Sequence, residues 1–248
     1  MIGKSIVSPC MLQGAAEDFR QAAGVDDLWS RLRRHLDTGS ITNVQYGFGA
    51  LPEGKEKKLT ILDSFVPGYL DAKIGEGVLE HDVFVRTGFA GTNPTMWSDT
   101  SRLPDLSPEA RRSLDIDWDL GVTCGVSIPL RFAGGLGAGL IGLHAGGMSW
   151  GEFDRIWTEF GMTLTAVANA FDTALRGDHV GELFPLTSQE RECLLWLATG
   201  LQQKQVADRL RLTDKQVEKR LKEARRKLKA VTTTQAVANA LIFGLIDP

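Results

Sequence analysis

Cysteine is scarce in this chain. Cys10, Cys124 and Cys193 are scattered through 248 residues, with no CxxC pair and no metal-ligand spacing. Thiols so placed fit a reducing compartment better than a disulfide framework. Only four histidines occur, none paired at ligand distance, so a metallohydrolase reading has nothing to hold its ion. There is no GxSxG elbow, no HExxH and no phosphate loop closed by a lysine. The glycine-rich stretch 134–142 lacks the helix that would aim a dipole at phosphate, and reads as a β-hairpin turn. No apolar run approaches the ~20 residues of a membrane span, and the N-terminus lacks a signal-peptide layout. These absences lead us to expect a cytoplasmic, cofactor-free chain that is not an enzyme and contacts no membrane.

What is present begins with charge. The formal net charge of −3 hides an asymmetry: residues 179–248 hold 12 Lys/Arg against 8 Asp/Glu, and the rest of the chain holds 16 against 23. A basic C-terminal part is joined to an acidic N-terminal one, which has no reason to touch phosphate.

The basic part carries a specific order of elements. Thr187 and Glu190 form a capping box, in which hydroxyl and carboxylate satisfy each other's orphan N–H groups at a helix start. Cys193, Leu194, Leu197 and Ala198 are spaced for one buried face, and Gly200 ends the helix. A second helix is expected over 203–210 with Val206, Ala207 and Leu210 inward. Thr213 and Gln216 then make a second box, opening a third helix that runs to about residue 229. On that helix Val217, Leu221, Ala224 and Leu228 form an apolar stripe, while Lys215, Lys219, Lys222 and Arg226 repeat the same steps on another face. Like charges so spaced repel, so the row calls for an anionic partner. Between Lys204 and Lys229 there are 11 Lys/Arg and 4 Asp/Glu. A helix-turn-helix reader of double-stranded DNA is the reading that absorbs all of this.

The acidic part reads as mixed α and β. Strands are expected near 43–50, 59–65, 122–132 and 139–145, with helices near 26–36, 67–74 and 107–114. A long helix over 150–176 shows Ile156, Phe160, Leu164, Val167, Phe171 and Leu175 at steps of three and four. Glycine, proline and charge in 177–185 mark a linker.

Residues 186–246 resemble the DNA-binding domain of LuxR-type transcription regulators. The resemblance rests on Leu186, Thr187, Glu190, Gly200, Val206, Ala207, Thr213, Val217, Lys227, Leu228, Ala236, Val237 and the closing Gly244-Leu245-Ile246. Gln189, Leu201, Gln216 and Arg220 depart from the pattern, the last two on the recognition helix. The quorum-sensing members carry an N-terminal domain for N-acyl-homoserine lactones, and Asp82, Trp97 and Gly125 fall at its fixed spacings without a gap. The family's lactone-binding tryptophan falls on Tyr69 and an acyl-lining tyrosine on Lys73. Another tyrosine falls near Phe65, and the proline after the aspartate is Val83.

The resemblance implies an α+β protein of two domains. Residues 1–176 would form an α-β-α sandwich around an antiparallel sheet, binding the signal and dimerising; 177–185 would be the linker, and 186–248 a four-helix helix-turn-helix domain. The expected ligand contacts are Phe65, Tyr69, Lys73, Asp82, Trp97 and Gly125. Asp82 would accept from the signal's amide, or else act as a structural cap, and Lys73, being charged, would stay outside an apolar pocket. Lys215, Gln216, Lys219 and Arg220 would lie near base edges, and Lys222 and Arg226 at phosphates. A homodimer is expected through the long helix or the last one, over 234–243, with RNA polymerase among its partners. The alternative is a regulator of the same architecture that senses a different molecule or partner, or none.

Overall fold

A computed structural model describes residues 9–37, 41–50, 60–99 and 106–248. The side chain of Cys10 and the first residue of the strand expected over 59–65 lie outside the described residues.

Two helices open the chain, α1 (Pro9–Arg20) and α2 (Val25–Asp37). In α2, Val25, Leu28, Leu32 and Leu36 recur at helical steps and are all buried. Five strands then build one antiparallel sheet: β1 (Asn43–Ala50), β2 (Thr60–Asp63), β3 (Thr95–Met96), β4 (Gly125–Phe132) and β5 (Gly137–His144). Their order is β2-β1-β5-β4-β3. β4 and β5 form a hairpin registered from Gly125 opposite His144 to Phe132 opposite Gly137. Its turn needs positive φ at Ala133, Gly134 and Gly135. The glycine-rich stretch is therefore the end of a hairpin and the strand that follows it.

Between β2 and β4 lie α3 (Tyr69–Gly75), a 3₁₀ turn (Leu79–His81), α4 (Val83–Ala90) and α5 (Pro108–Asp119). They pack on one face of the sheet. The other face is covered by α1, α2 and α6 (Trp150–Ala174), which presents Phe153, Leu164, Val167, Ala168 and Phe171 to the core. Ile156 and Phe160, expected inward, are only half-buried, because the buried line of α6 runs through Phe153 and Gly161 instead. Ser149 and Glu152 cap α6 with a box like the two expected further on.

The stretch expected as a linker is largely helical. α6 passes into a π-turn (Leu175–His179) and then α7 (Val180–Leu183) before Pro185. Leu175 and Val180 are buried, so packing holds these residues in a helix despite Gly177 and Gly181.

Four helices complete the chain: α8 (Ser188–Ala198), α9 (Gln203–Leu210), α10 (Asp214–Lys227) and α11 (Thr233–Ile242). Both expected capping boxes are formed, Thr187 with Glu190 and Thr213 with Gln216. Cys193, Leu194, Val206, Ala207, Val217, Leu221 and Ala224 make their common core. After α11, Phe243 stacks on Phe184 with ring centroids 4.9 Å apart and meets Phe48 of β1 edge-on at 5.5 Å. The last helices thus rest against the sheet.

Candidate signal cavity and nucleic-acid interface

A cavity lies between the sheet and the α3–α4–α5 layer. Its sides are aromatic and aliphatic, with Phe65, Tyr69, Phe84, Phe89, Trp97, Trp118, Leu140 and Trp150 among the lining residues. The polar groups that reach it include Gln45, Asp82, Asp117 and Ser127. This is the composition of a small-molecule site, mostly apolar with a few placed polar groups. The open space is about 50 Å³, well below the ~300 Å³ at which ligand pockets usually begin. An occupant of signal size enters only as side chains move aside.

Gly125 explains how one wall is set. A Cβ there would stand 2.1 Å from the Leu143 carbonyl oxygen and 2.7 Å from the Trp97 ring. Only glycine lets the indole lie flat against β4. Trp97 is held at its other edge too, where Nε1 donates to Ser127 Oγ at 3.0 Å. Phe65 stacks obliquely on Tyr69, with centroids 4.9 Å apart, and faces Trp97 at 6.4 Å.

One end of the cavity is built from charge. Asp82 is the N-cap of α4: its Oδ1 accepts from Phe84 N at 2.9 Å and Val85 N at 3.0 Å. Lys73 lies outside the pocket lining, as the sequence suggested, yet is wholly buried and bonds both Asp82 and Asp117. The physical reason is its pair of anionic partners, since a buried ammonium is tolerable only when ion-paired and hydrogen-bonded. Burial acts to lower the Lys73 pKa, but the two carboxylates outweigh it and hold the group above its ordinary value. Lys73 is absent from the cavity lining and stands behind the two carboxylates. Tyr69 donates to Asp117 Oδ1 at 2.8 Å. Burial, with help from Asp82, pushes the Asp117 carboxyl up to about 7 against the pull of Lys73 and Tyr69.

Of the sequence-derived candidates, the fold gathers Phe65, Tyr69, Asp82 and Trp97 around the cavity, with Gly125 and Lys73 supporting the wall. Asp117, Ser127 and Trp118 were missed by sequence reasoning. Asp117 had a signal: Ala110, Leu114 and Asp117 recur at steps of four and three on the buried face of α5, an acid where an apolar residue belongs.

On the second candidate surface, α9 and α10 meet through a tight turn in which Arg211 adopts left-handed geometry with φ 55°. Lys215, Lys219, Lys222 and Arg226 are exposed along α10. Arg226 pairs with Glu223 at 3.1 Å. Gln216 is exposed, but its side-chain oxygen accepts from Thr213 N at 2.8 Å, committing it to the cap. Arg220 is half-buried, and its Nε is enclosed without a partner. Behind the exposed face, Lys227 Nζ bonds Glu190 Oε2 at 2.7 Å and so ties α10 to the cap of α8. Burial raises the Glu190 carboxyl, yet Lys227 and the Thr187 N–H bring it below its ordinary value.

Comparison with known proteins agrees with both halves of this picture. Residues 24–175 match the family described as the autoinducer binding domain, and residues 185–240 match the bacterial regulatory proteins of the luxR family. Among curated relatives, the quorum sensing-dependent transcriptional regulator RpaR of Rhodopseudomonas palustris is 30% identical over 191 residues, 76% of this chain and 76% of that one. Among solved structures, Escherichia coli SdiA superposes with a TM-score of 0.61 at 16% identity, covering 96% of this chain and 99% of that one. SdiA in complex with octanoyl-rac-glycerol gives 0.62, also at 16% identity, covering 100% and 99%. The chain belongs to the LuxR-type quorum-sensing transcription regulators, with an autoinducer-binding part and a DNA-binding helix-turn-helix part. Among the described residues, no helix is long and apolar enough to cross a membrane.

Proposed function

We propose that this regulator senses a small acylated signal in the cavity between the sheet and the α3–α5 layer, and reads DNA with the exposed face of α10. The observation that carries the reading is the cavity itself, an aromatic-lined space with the Asp82 and Asp117 carboxylates at one end. The aromatic walls suit an acyl chain, and the carboxylates suit the amide N–H of an acylated amine. An N-acyl-homoserine lactone is the candidate that the family resemblance supplies. Phe65, Tyr69, Asp82 and Trp97 would touch the ligand, with Gly125 and Lys73 holding the wall.

In this reading residues 1–176 bind the signal and dimerise, 177–185 connect, and 186–248 bind DNA. The chain works as a cytoplasmic homodimer without enzymatic activity, and RNA polymerase is its partner at the promoter. The dimer is supported by apolar surface left over on α6, where Met162 is 90% exposed, and on α11, where Leu241 is 39% exposed. Two-fold symmetry also doubles the length of DNA read. Lys215 and Lys219 would approach base edges, Lys222 and Arg226 phosphates. Gln216 and Arg220, also on α10, would sit at the edge of the interface.

A second reading has one observation in its favour. Asp82 is already satisfied by two backbone N–H groups and Lys73, which leaves it less free to hold a signal amide. The same architecture would then sense another molecule or partner, or act without one. Native mass spectrometry and thermal-shift measurements on the full chain with acyl-homoserine lactones of graded length separate the two. A ligand of the folded state raises the melting temperature by mass action. A shift that depends on chain length supports the first reading, and none at any length supports the second.

A further inference from the structure

We infer that the signal enters and leaves the cavity through a mouth framed by Trp118, Thr123 and Trp150, and that the Trp118 indole is the leaf that moves. This rests on the proposal that the cavity takes a small acylated signal, and adds the route by which it gets there. The lining residues sort cleanly by exposure. Trp118, Thr123 and Trp150 are exposed, and all the others are buried or half-buried. The three belong to one stretch of surface. Trp118 lies in the last turn of α5, Thr123 follows the left-handed turn at Gly121, and Trp150 opens α6. Trp150 Nε1 donates to the Thr123 carbonyl oxygen at 2.7 Å, which ties the start of α6 to that loop.

The two indoles are held differently. Trp150 is pinned by its bond to Thr123. Trp118 is 43% exposed, and among the described residues no hydrogen bond or ring contact holds its indole. An exposed side chain without a partner changes rotamer quickly. The open space of about 50 Å³ requires that some part of the lining give way before a signal fits. Moving Tyr69 breaks its bond to Asp117, and moving Trp97 breaks its bond to Ser127. Swinging Trp118 outward breaks none. Single exposed apolar residues are ordinary on a protein surface. Two exposed tryptophans lining the same apolar cavity are a different case, because they offer an acyl chain apolar surface as it leaves water.

The test measures rates. N-octanoyl-homoserine lactone and monooctanoylglycerol are passed over the immobilised full-length chain, and association and dissociation are followed by surface plasmon resonance. With whichever probe binds, Trp118→Ala is expected to raise the association rate constant about tenfold, since a required conformational step is removed. Dissociation should quicken alongside it. Loss of a wall contact alone would quicken dissociation and leave association as it was. An unchanged association rate therefore overturns the role given to Trp118. A second variant tests the mouth without deleting a ring. Thr123→Cys, modified with a bulky maleimide, should associate at least about tenfold more slowly than the same variant unmodified. Thr173→Cys, exposed near the far end of α6, carries the same group as a control and should show no such slowing. Entry that survives the group at position 123, or slows as much with it at 173, overturns the mouth and leaves the acylated-signal reading in place. No binding of either probe to the wild-type chain overturns that reading, and the inference with it.

Discussion

Lys73 Nζ lies 2.6 Å from Asp117 Oδ1, and neither group is open to bulk solvent. The pair joins α3 to α5 across the end of the cavity, with Asp82 as the third member. Because each partner is buried, breaking the pair costs more than deleting it. Lys73→Met alone leaves two carboxylates without their cation, and about 3–5 kcal/mol of stability is expected to be lost. Lys73→Met with Asp117→Leu should recover most of that loss, since an apolar replacement of a buried pair is often near neutral. Urea unfolding of both singles and the double gives the coupling energy directly. Additive losses would mean that the two groups do not interact.

The same pair makes stability depend on pH in a direction that can be worked out. Asp117 keeps its proton up to about 7 in the folded chain but loses it near 3.8 when unfolded, so between those values the folded form binds more protons. Unfolding free energy therefore falls as pH rises through that window and levels off above it. Burial lowers His144, which works in the opposite sense, so the wild-type curve alone mixes the two. The difference between wild type and Asp117→Asn isolates the carboxyl. Relative to the variant, wild type should lose stability from about pH 5 to about pH 7.5. A constant difference across that range would rule the raised carboxyl out.

How much of this was legible beforehand follows from which forces act locally. The capping boxes at Thr187 and Thr213, the stripe of α10 and the β4–β5 hairpin are set by neighbours a few residues apart, and the sequence displays them. α4 is different: no helix is expected over Val83–Ala90, and it starts at the β-branched and aromatic Val83-Phe84-Val85 where the Asp82 carboxylate caps it. Asp117 is missed because a helix is expected only over 107–114, whereas α5 continues to Asp119 and carries its buried face one step further. The burial of Lys73 depends on two acids, 9 and 44 positions further on, that no periodicity connects.

Gly125 is a position where one added methyl decides the wall of the cavity. A Cβ at 2.1 Å from a backbone oxygen cannot be relieved by turning a flexible side chain, and the hairpin or Trp97 must shift. Gly125→Ala is expected to cost about 1–3 kcal/mol or more and to weaken any ligand of the cavity. The Trp97–Ser127 bond should break with it, which the melting temperature and tryptophan fluorescence would register together. A variant as stable as wild type with unaltered fluorescence would refute the close packing described for β4.

On α10, Lys219 is exposed and has no acidic partner among the described residues, whereas Arg226 is already paired with Glu223. If both face phosphate or base edges, Lys219→Ala should weaken operator binding more than Arg226→Ala. Each phosphate that a variant no longer neutralises should make the slope of log K against log salt shallower by about 0.9. Fluorescence anisotropy across a salt series measures both quantities. An unchanged affinity and slope in both variants would remove this face of α10 from the DNA interface.

Phe243 links the last helix to the rest of the molecule. Its ring lies nearly parallel to Phe184, 9° apart in plane, and edge-on to Phe48 of β1, so one buried side chain touches the sheet, the connecting segment and the end of α11. Such a three-way junction is expected to make the two halves unfold together, because separating them exposes the aromatic rings of both. Phe243→Ala removes it at a cost of about 3–5 kcal/mol if the gap does not close. Scanning calorimetry on the full chain should then show one transition resolve into two, with the helical C-terminal part melting separately from the sheet. Helix-turn-helix folding itself should survive, since the core around Cys193, Val206 and Val217 is untouched. A single transition at the wild-type temperature would show that the ring does not couple the two halves.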